Sequence, residues 1–128
     1  MKILYVEDDP MNRSVVKAML EVAGSDMDEA ESGALGLAMV DRETYEVILM
    51  DLRMPGMDGL ETIRGIRARG DDKALTPIIV VTADTAPHLK AACLSTGADD
   101  FIMKPVAMNA LFDSIAQVLE SRGALAAF

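Results

Sequence analysis

One cysteine, Cys93, stands in the 128 residues. This excludes an internal disulfide and any zinc site built on thiolates, and leaves Cys93 as a small core residue. The one histidine, His88, follows Pro87 and is expected at the surface, where a single imidazole does not make a metal site. Aromatic residues are 4% of the chain, so the core falls to aliphatic side chains and ten methionines. Basic charge is short as well, with Lys+Arg 12 against Asp+Glu 21 and a net charge of −9. Nucleic acid and anionic membrane surfaces demand a basic footprint that is missing, whereas the excess of acid suits a divalent cation. No apolar run approaches the ~20 residues of a transmembrane helix. No charged start leads into the long apolar core of a signal peptide, so a cytoplasmic location is expected.

What is present describes one globular domain. Hydrophobic residues make up 51%, and the length suits one domain rather than two. The stretch Val47–Gly59 organises the rest. Val47-Ile48-Leu49-Met50 reads as a buried strand running straight into Asp51, and Pro55-Gly56 and Asp58-Gly59 form a loop that cannot continue it.

Similar punctuation recurs along the chain. Ile3–Val6 is strand 1, stopped by Glu7-Asp8-Asp9-Pro10. Asp9 suits an N-cap and Pro10 a first helical turn. Helix 1 then runs to about Ala23, with Val15, Val16, Met19, Leu20 and Ala23 at helical spacing and Gly24 as the stop. Asp26–Ala30 reads as a polar edge strand. Ser32-Gly33 opens helix 2, with Leu35, Ala38 and Met39 on one face. Helix 3 follows Asp58-Gly59, turning Leu60, Ile63 and Ile66 inward and the Arg64, Arg67 and Arg69 run toward solvent. Strand 4 is Ile78–Thr82. Helix 4 is expected to hold Pro87 in its first turn, to bury Leu89, Ala92 and Cys93, and to end at Gly97. Strand 5 spans Asp100–Met103, and helix 5 shows the clearest period, from Met108 through Leu111, Phe112, Ile115, Val118 and Leu119.

Five strands alternating with five helices imply a parallel sheet covered on both faces, an α/β fold. Right-handed crossovers favour the flavodoxin-like, doubly wound order 2-1-3-4-5. Ligands then bind beyond the carboxyl ends of the strands, near the switch in strand order. Strand 1 delivers Glu7 and Asp8 there, strand 3 Asp51, strand 4 Thr82 and strand 5 Lys104. Three carboxylates that converge repel one another unless a cation sits among them, and all-oxygen ligation suits Mg²⁺. A hydroxyl and an ammonium opposite are what a phosphoryl group needs. The set reads as a phosphoryl-transfer site with a carboxylate nucleophile.

Glu7-Asp8, Met50-Asp51 with Met54-Pro55-Gly56-Met57-Asp58-Gly59, Val81-Thr82-Ala83, and Phe101 with Lys104-Pro105 resemble the response-regulator receiver domain of two-component signalling, over residues 2 to about 120. The resemblance implies Asp51 as the phosphoacceptor, taking a phosphoryl group from a partner's phosphohistidine. It implies direct Mg²⁺ ligation by Asp8, Asp51 and the Arg53 carbonyl, with Glu7 acting through water and Mn²⁺ able to substitute. Thr82 and Lys104 would hold the phosphoryl oxygens, and Ala83 would leave room for them. Phe101 would swing inward with Thr82 as the switch, and the Lys104-Pro105 peptide would be cis.

Departures from the family pattern carry information. Asp9 replaces a frequent Asn and is expected to cap helix 1, while Asn12-Arg13 keeps the pattern. Arg53 and Asp84, two residues after Asp51 and Thr82, are expected to pair across the mouth and slow water attack on the acyl phosphate. The receiver is expected to occupy residues 1–121, with 122–128 a frayed tail and no output domain after it. A stand-alone receiver acts through protein contact. Expected partners are a histidine kinase, a histidine phosphotransfer protein, and a downstream protein reached through the helix 4/strand 5/helix 5 face. The expected state is a monomer, with dimerisation on activation open to the helix 4/helix 5 face. The competing reading is a Mg²⁺-dependent phosphohydrolase with an aspartyl-phosphate intermediate. Such enzymes carry a second acid two residues after the nucleophile, where this chain has Arg53. A receiver-like module that is never phosphorylated is disfavoured by Asp8, Asp51, Thr82 and Lys104 together.

Overall fold

The computed structural model describes residues 1–126, with side-chain surroundings through Arg122. The elements are β1 (Lys2–Val6), α1 (Pro10–Val22), β2 (Asp26–Ala30), α2 (Gly33–Arg42), β3 (Val47–Met50), α3 (Gly59–Arg67), a 3₁₀ turn (Asp72–Leu75), β4 (Ile78–Thr82), α4 (Leu89–Thr96), β5 (Asp100–Met103) and α5 (Met108–Ala126). All strand pairs are parallel, in the order β2-β1-β3-β4-β5. This is the doubly wound, flavodoxin-like α/β fold that the sequence implies, with the switch in order between β1 and β3.

Alternation along each strand divides the core in two. Leu4, Val6, Ile48, Met50, Ile78 and Val80 pack with α2, α3 and α4 on one face. Ile3, Tyr5, Val47, Leu49, Ile79 and Val81 pack with α1 and α5 on the other. Every residue of β3 and β4 is buried, which is why these strands read as unbroken apolar runs. Burying each such side chain contributes about 1.5–3 kcal/mol before entropy is counted. The polar β2 lies at the sheet edge, where only Met27 and Ala30 are buried.

Several helix faces differ from expectation. In α2 the inward residues are Gly33, Gly36 and Val40, while Leu35 and Ala38 face solvent. Gly36 packs so closely on Val6 that a larger residue would collide, so an apolar-period reading misses this face. Val15 is exposed in α1, leaving Val16 and Leu20 as its buried residues. Pro87 lies in the turn before α4 rather than in its first turn. His88, with φ of 69°, makes the left-handed entry to that helix. Of its expected inner face, Cys93 is buried, Leu89 is half-buried and Ala92 is exposed.

A further correction concerns charge. Arg67 is not on a solvated face. Its guanidinium donates to the carbonyls of Gly97 (2.9 Å), Ala74 (2.8 Å) and Thr76 (2.7 Å) and to Asp99 Oδ2 (2.9 Å). Arg69 is also half-buried and pairs with Asp41 and Asp71. α5 continues to Ala126. Arg122 there donates to Asp99 Oδ1 at 2.7 Å. Residues 127–128 of the expected tail lie outside the described residues.

Candidate functional site

Backbone pairing continues one step past the strand ends and fixes the residues that follow. Glu7 N–H donates to the Ala30 carbonyl (2.9 Å), Asp51 N–H to Val6 (3.0 Å) and Lys104 N–H to Thr82 (2.8 Å). The acids and the ammonium are thereby held to the sheet and not to mobile loops. The loop after Asp51 is shaped by glycine. Gly56 has φ of +78°, and a Cβ on Gly59 would fall well inside contact distance of the Asp51 carbonyl oxygen. Asp58 caps α3 by accepting from Glu61 N–H at 2.9 Å.

These ends enclose an open cavity of about 560 Å³, lined by Glu7, Asp8, Asp51, Arg53, Thr82 and Lys104 among others. One carboxylate oxygen from each of Glu7, Asp8 and Asp51 lies within 4.8 Å of the other two. Glu7 and Asp51 are buried, 1% and 3% exposed, while Asp8 faces solvent. Lys104 Nζ stands 2.9 Å from Glu7 Oε2 and 3.6 Å from Asp51 Oδ1. One ammonium therefore faces two buried acids. Burial first, and then the Glu7 charge, push the Asp51 carboxyl up to about 6, against the opposing pull of Lys104. Asp51 Oδ1 also accepts from Leu52 N–H at 2.9 Å. A cluster this short of positive charge, made only of oxygen donors, is chemically matched to a hard divalent cation.

The remaining predicted residues fall around this centre. Thr82 is fully buried, and its hydroxyl accepts from Asp84 N–H at 3.2 Å. Arg53 pairs with Asp84 at the mouth, Nε to Oδ2 at 2.8 Å, and this holds the Asp84 carboxyl below its ordinary range. The Lys104-Pro105 peptide is cis. Phe101 is half-buried against the core beneath α2, α3 and α4. Asp9 caps α1, accepting from Met11 N–H at 2.8 Å.

Two residues at the site were not anticipated as part of it. Tyr5 is fully buried, and its hydroxyl lies 3.4 Å from Glu7 Oε2. Burial first, then Glu7, Asp51 and Asp9, drive its phenol far above the ordinary value, so it stays protonated. Asn12 donates its amide to Glu7 Oε1 at 3.2 Å. The available signal was spacing: Tyr5 precedes Glu7 by two positions on a strand and so shares its face.

The family model of the response regulator receiver domain matches residues 3–116. The chain is 40% identical over 114 residues to the two-component response regulator ORR41 of Oryza sativa, covering 86% of this chain and 87% of that protein. It is 37% identical over 119 residues to the response regulator MprA of Mycobacterium leprae, covering 93% of this chain and 51% of the relative. With the sensor protein GacS of Pseudomonas syringae, identity is 33% over 112 residues, 86% of this chain and 12% of that protein. The chain thus spans only half or less of some relatives it matches. Among solved structures, the receiver domain of sensor histidine kinase PA1611 from Pseudomonas aeruginosa superposes with a TM-score of 0.85 at 33% identity, covering 93% of this chain and 97% of that one. That structure carries a magnesium ion coordinated in its active-site cleft. The chemotaxis protein CheY4 of Vibrio cholerae gives 0.84 at 30% identity, covering 91% and 97%. Sheet order, acid cluster and these likenesses agree, and the chain belongs to the family of response regulator receiver domains of two-component systems.

Proposed function

We propose that this receiver domain accepts a phosphoryl group in two-component signalling and that Asp51 is its phosphoacceptor. The observation that carries this reading is the buried Asp51 beside two further acids and one shared ammonium. An Asp51 oxygen attacks phosphorus, the P–N bond of a partner's phosphohistidine breaks, and its electron pair returns to the imidazole. Asp8, Asp51 and the Arg53 carbonyl would hold Mg²⁺ (or Mn²⁺), with Glu7 reaching it through water. Bound there, the cation would supply charge neutralisation for the phosphoryl oxygens. Thr82 and Lys104 take the remaining phosphoryl oxygens by hydrogen bond and charge. Arg53 and Asp84, paired over the mouth, restrict water and lengthen the acyl phosphate's life.

Phosphorylation adds about −1.5 to −2 charge beside Thr82. Thr82 moves to meet it, and Phe101 follows inward. The α4/β5/α5 face then changes shape for a protein target, or the phosphoryl group passes on to a phosphotransfer protein. The supply comes from a histidine kinase or such a protein, in the cytoplasm. No helix among the described residues is long and apolar enough to cross a membrane. Intact mass after treatment with Mg²⁺ and a small acyl phosphate tests the reading. One added phosphoryl group, lost in Asp51→Asn, is expected. No gain in the wild type overturns the proposal.

A further inference from the structure

Glu7 is surrounded by donors to a degree its role as a water-mediated acid does not require. Oε1 accepts from Asp9 N–H (3.2 Å) and the Asn12 amide (3.2 Å). Oε2 accepts from the Tyr5 hydroxyl (3.4 Å) and the Lys104 ammonium (2.9 Å). The donors come from β1, the first turn of α1 and the segment after β5, so the carboxylate is fixed from three directions. The ammonium it holds stands farther, 3.6 Å, from Asp51 Oδ1.

We infer that Tyr5 and Asn12 are positioning residues that hold Glu7 as the resting dock of Lys104, so that the ammonium hydrogen-bonds Glu7 and stands back from hydrogen-bond contact with Asp51 until a phosphoryl group arrives. This rests on Asp51 being the acceptor, and it adds what the acids and Lys104 do beforehand. An ammonium closed onto Asp51 would quench the nucleophile and compete with a divalent cation for the same oxygen. A Glu7 fixed by uncharged donors keeps its own negative charge free to draw Lys104 aside. Tyr5 suits this task because a buried phenol adds a donor without adding charge. Asn12 does the same from the helix side.

Tyr5→Phe and Asn12→Ala each remove one donor. Glu7 then loosens, and Lys104 closes on Asp51, the other anion in reach. Mg²⁺ affinity by calorimetry, and the rate of phosphorylation at subsaturating Mg²⁺, are expected to fall about three- to tenfold in each variant. In a Lys104→Met background neither substitution should have any further effect. Independently of metal, the Lys104 side-chain ¹⁵N signal in EDTA is expected to shift in both variants. An unchanged Lys104 signal with native melting overturns the inference. So does an equal loss of Mg²⁺ affinity in the Lys104→Met background, which would place the effect outside Lys104. Where Tyr5→Phe fails to fold, Asn12→Ala at its half-exposed position decides alone. Failure of wild type to take a phosphoryl group on Asp51 would sink the acceptor reading instead, leaving the EDTA measurement to judge the dock.

Discussion

Replacing the acceptor should make the protein more stable. Asp51 is 3% exposed and faces Glu7, and its carboxyl is raised from 3.8 to about 6. Between those two values the native state holds the proton more tightly than the unfolded chain. Stability therefore falls as pH rises across that window and stays lower above it. A rise of this size corresponds to about 2–3 kcal/mol. Asp51→Asn keeps the side-chain oxygen that accepts from Leu52 N–H but has no charge to desolvate. In EDTA at pH 7 the variant should exceed wild type by about 2–3 kcal/mol in urea denaturation. The melting midpoint should rise by about 5–10 °C. Near pH 4 and below, where wild-type Asp51 is protonated in the native state, the gap should close. Mg²⁺ at about 100 times its Kd should add about 2.7 kcal/mol to wild type and so largely cancel the gap at pH 7. Equal midpoints at pH 7 without metal would refute the reasoning, as would a gap that persists unchanged to pH 4.

Three other outcomes are expected. Arg53→Ala opens the mouth pair with Asp84 and should shorten the acyl-phosphate lifetime about two- to fivefold, followed by phosphate release from purified phosphoprotein. An unchanged lifetime would sink the shielding role. Gly59→Ala sets a methyl against the Asp51 carbonyl and should cost about 1–3 kcal/mol or more in denaturation while displacing the acceptor. Gly56→Ala, with open space around it, should show only the smaller strain of its positive φ.

Much of the site was legible because strand ends are marked by chemistry. An apolar run that stops at an acid, a Thr or a Lys-Pro gives both a strand and the residue it presents. Helix faces were harder. The inward face of α2 is built on Gly33 and Gly36, whose contribution is absence of bulk, and hydrophobic period does not register absence. Arg67 read as solvated because its charge implies water, yet three backbone carbonyls and Asp99 replace that water. Those acceptors come from segments up to 32 positions away, so nothing local in α3 announces them. The same applies to Tyr5 and Asn12, whose importance lies in what surrounds Glu7.

The Arg67 contacts have a mechanical consequence for α4. The carbonyl of Gly97, at the end of that helix, is held by a guanidinium that also grips Asp99, Ala74 and Thr76. The beginning of the helix follows a left-handed His88 with no side-chain cap, and Cys93 is its one buried residue. Such an element resembles a cantilever, clamped at the edge of the sheet away from the acids and held more lightly, by half-buried Leu89, at the edge where Thr82 sits. A displacement beside Thr82 is therefore expected to tilt α4 about its clamped end.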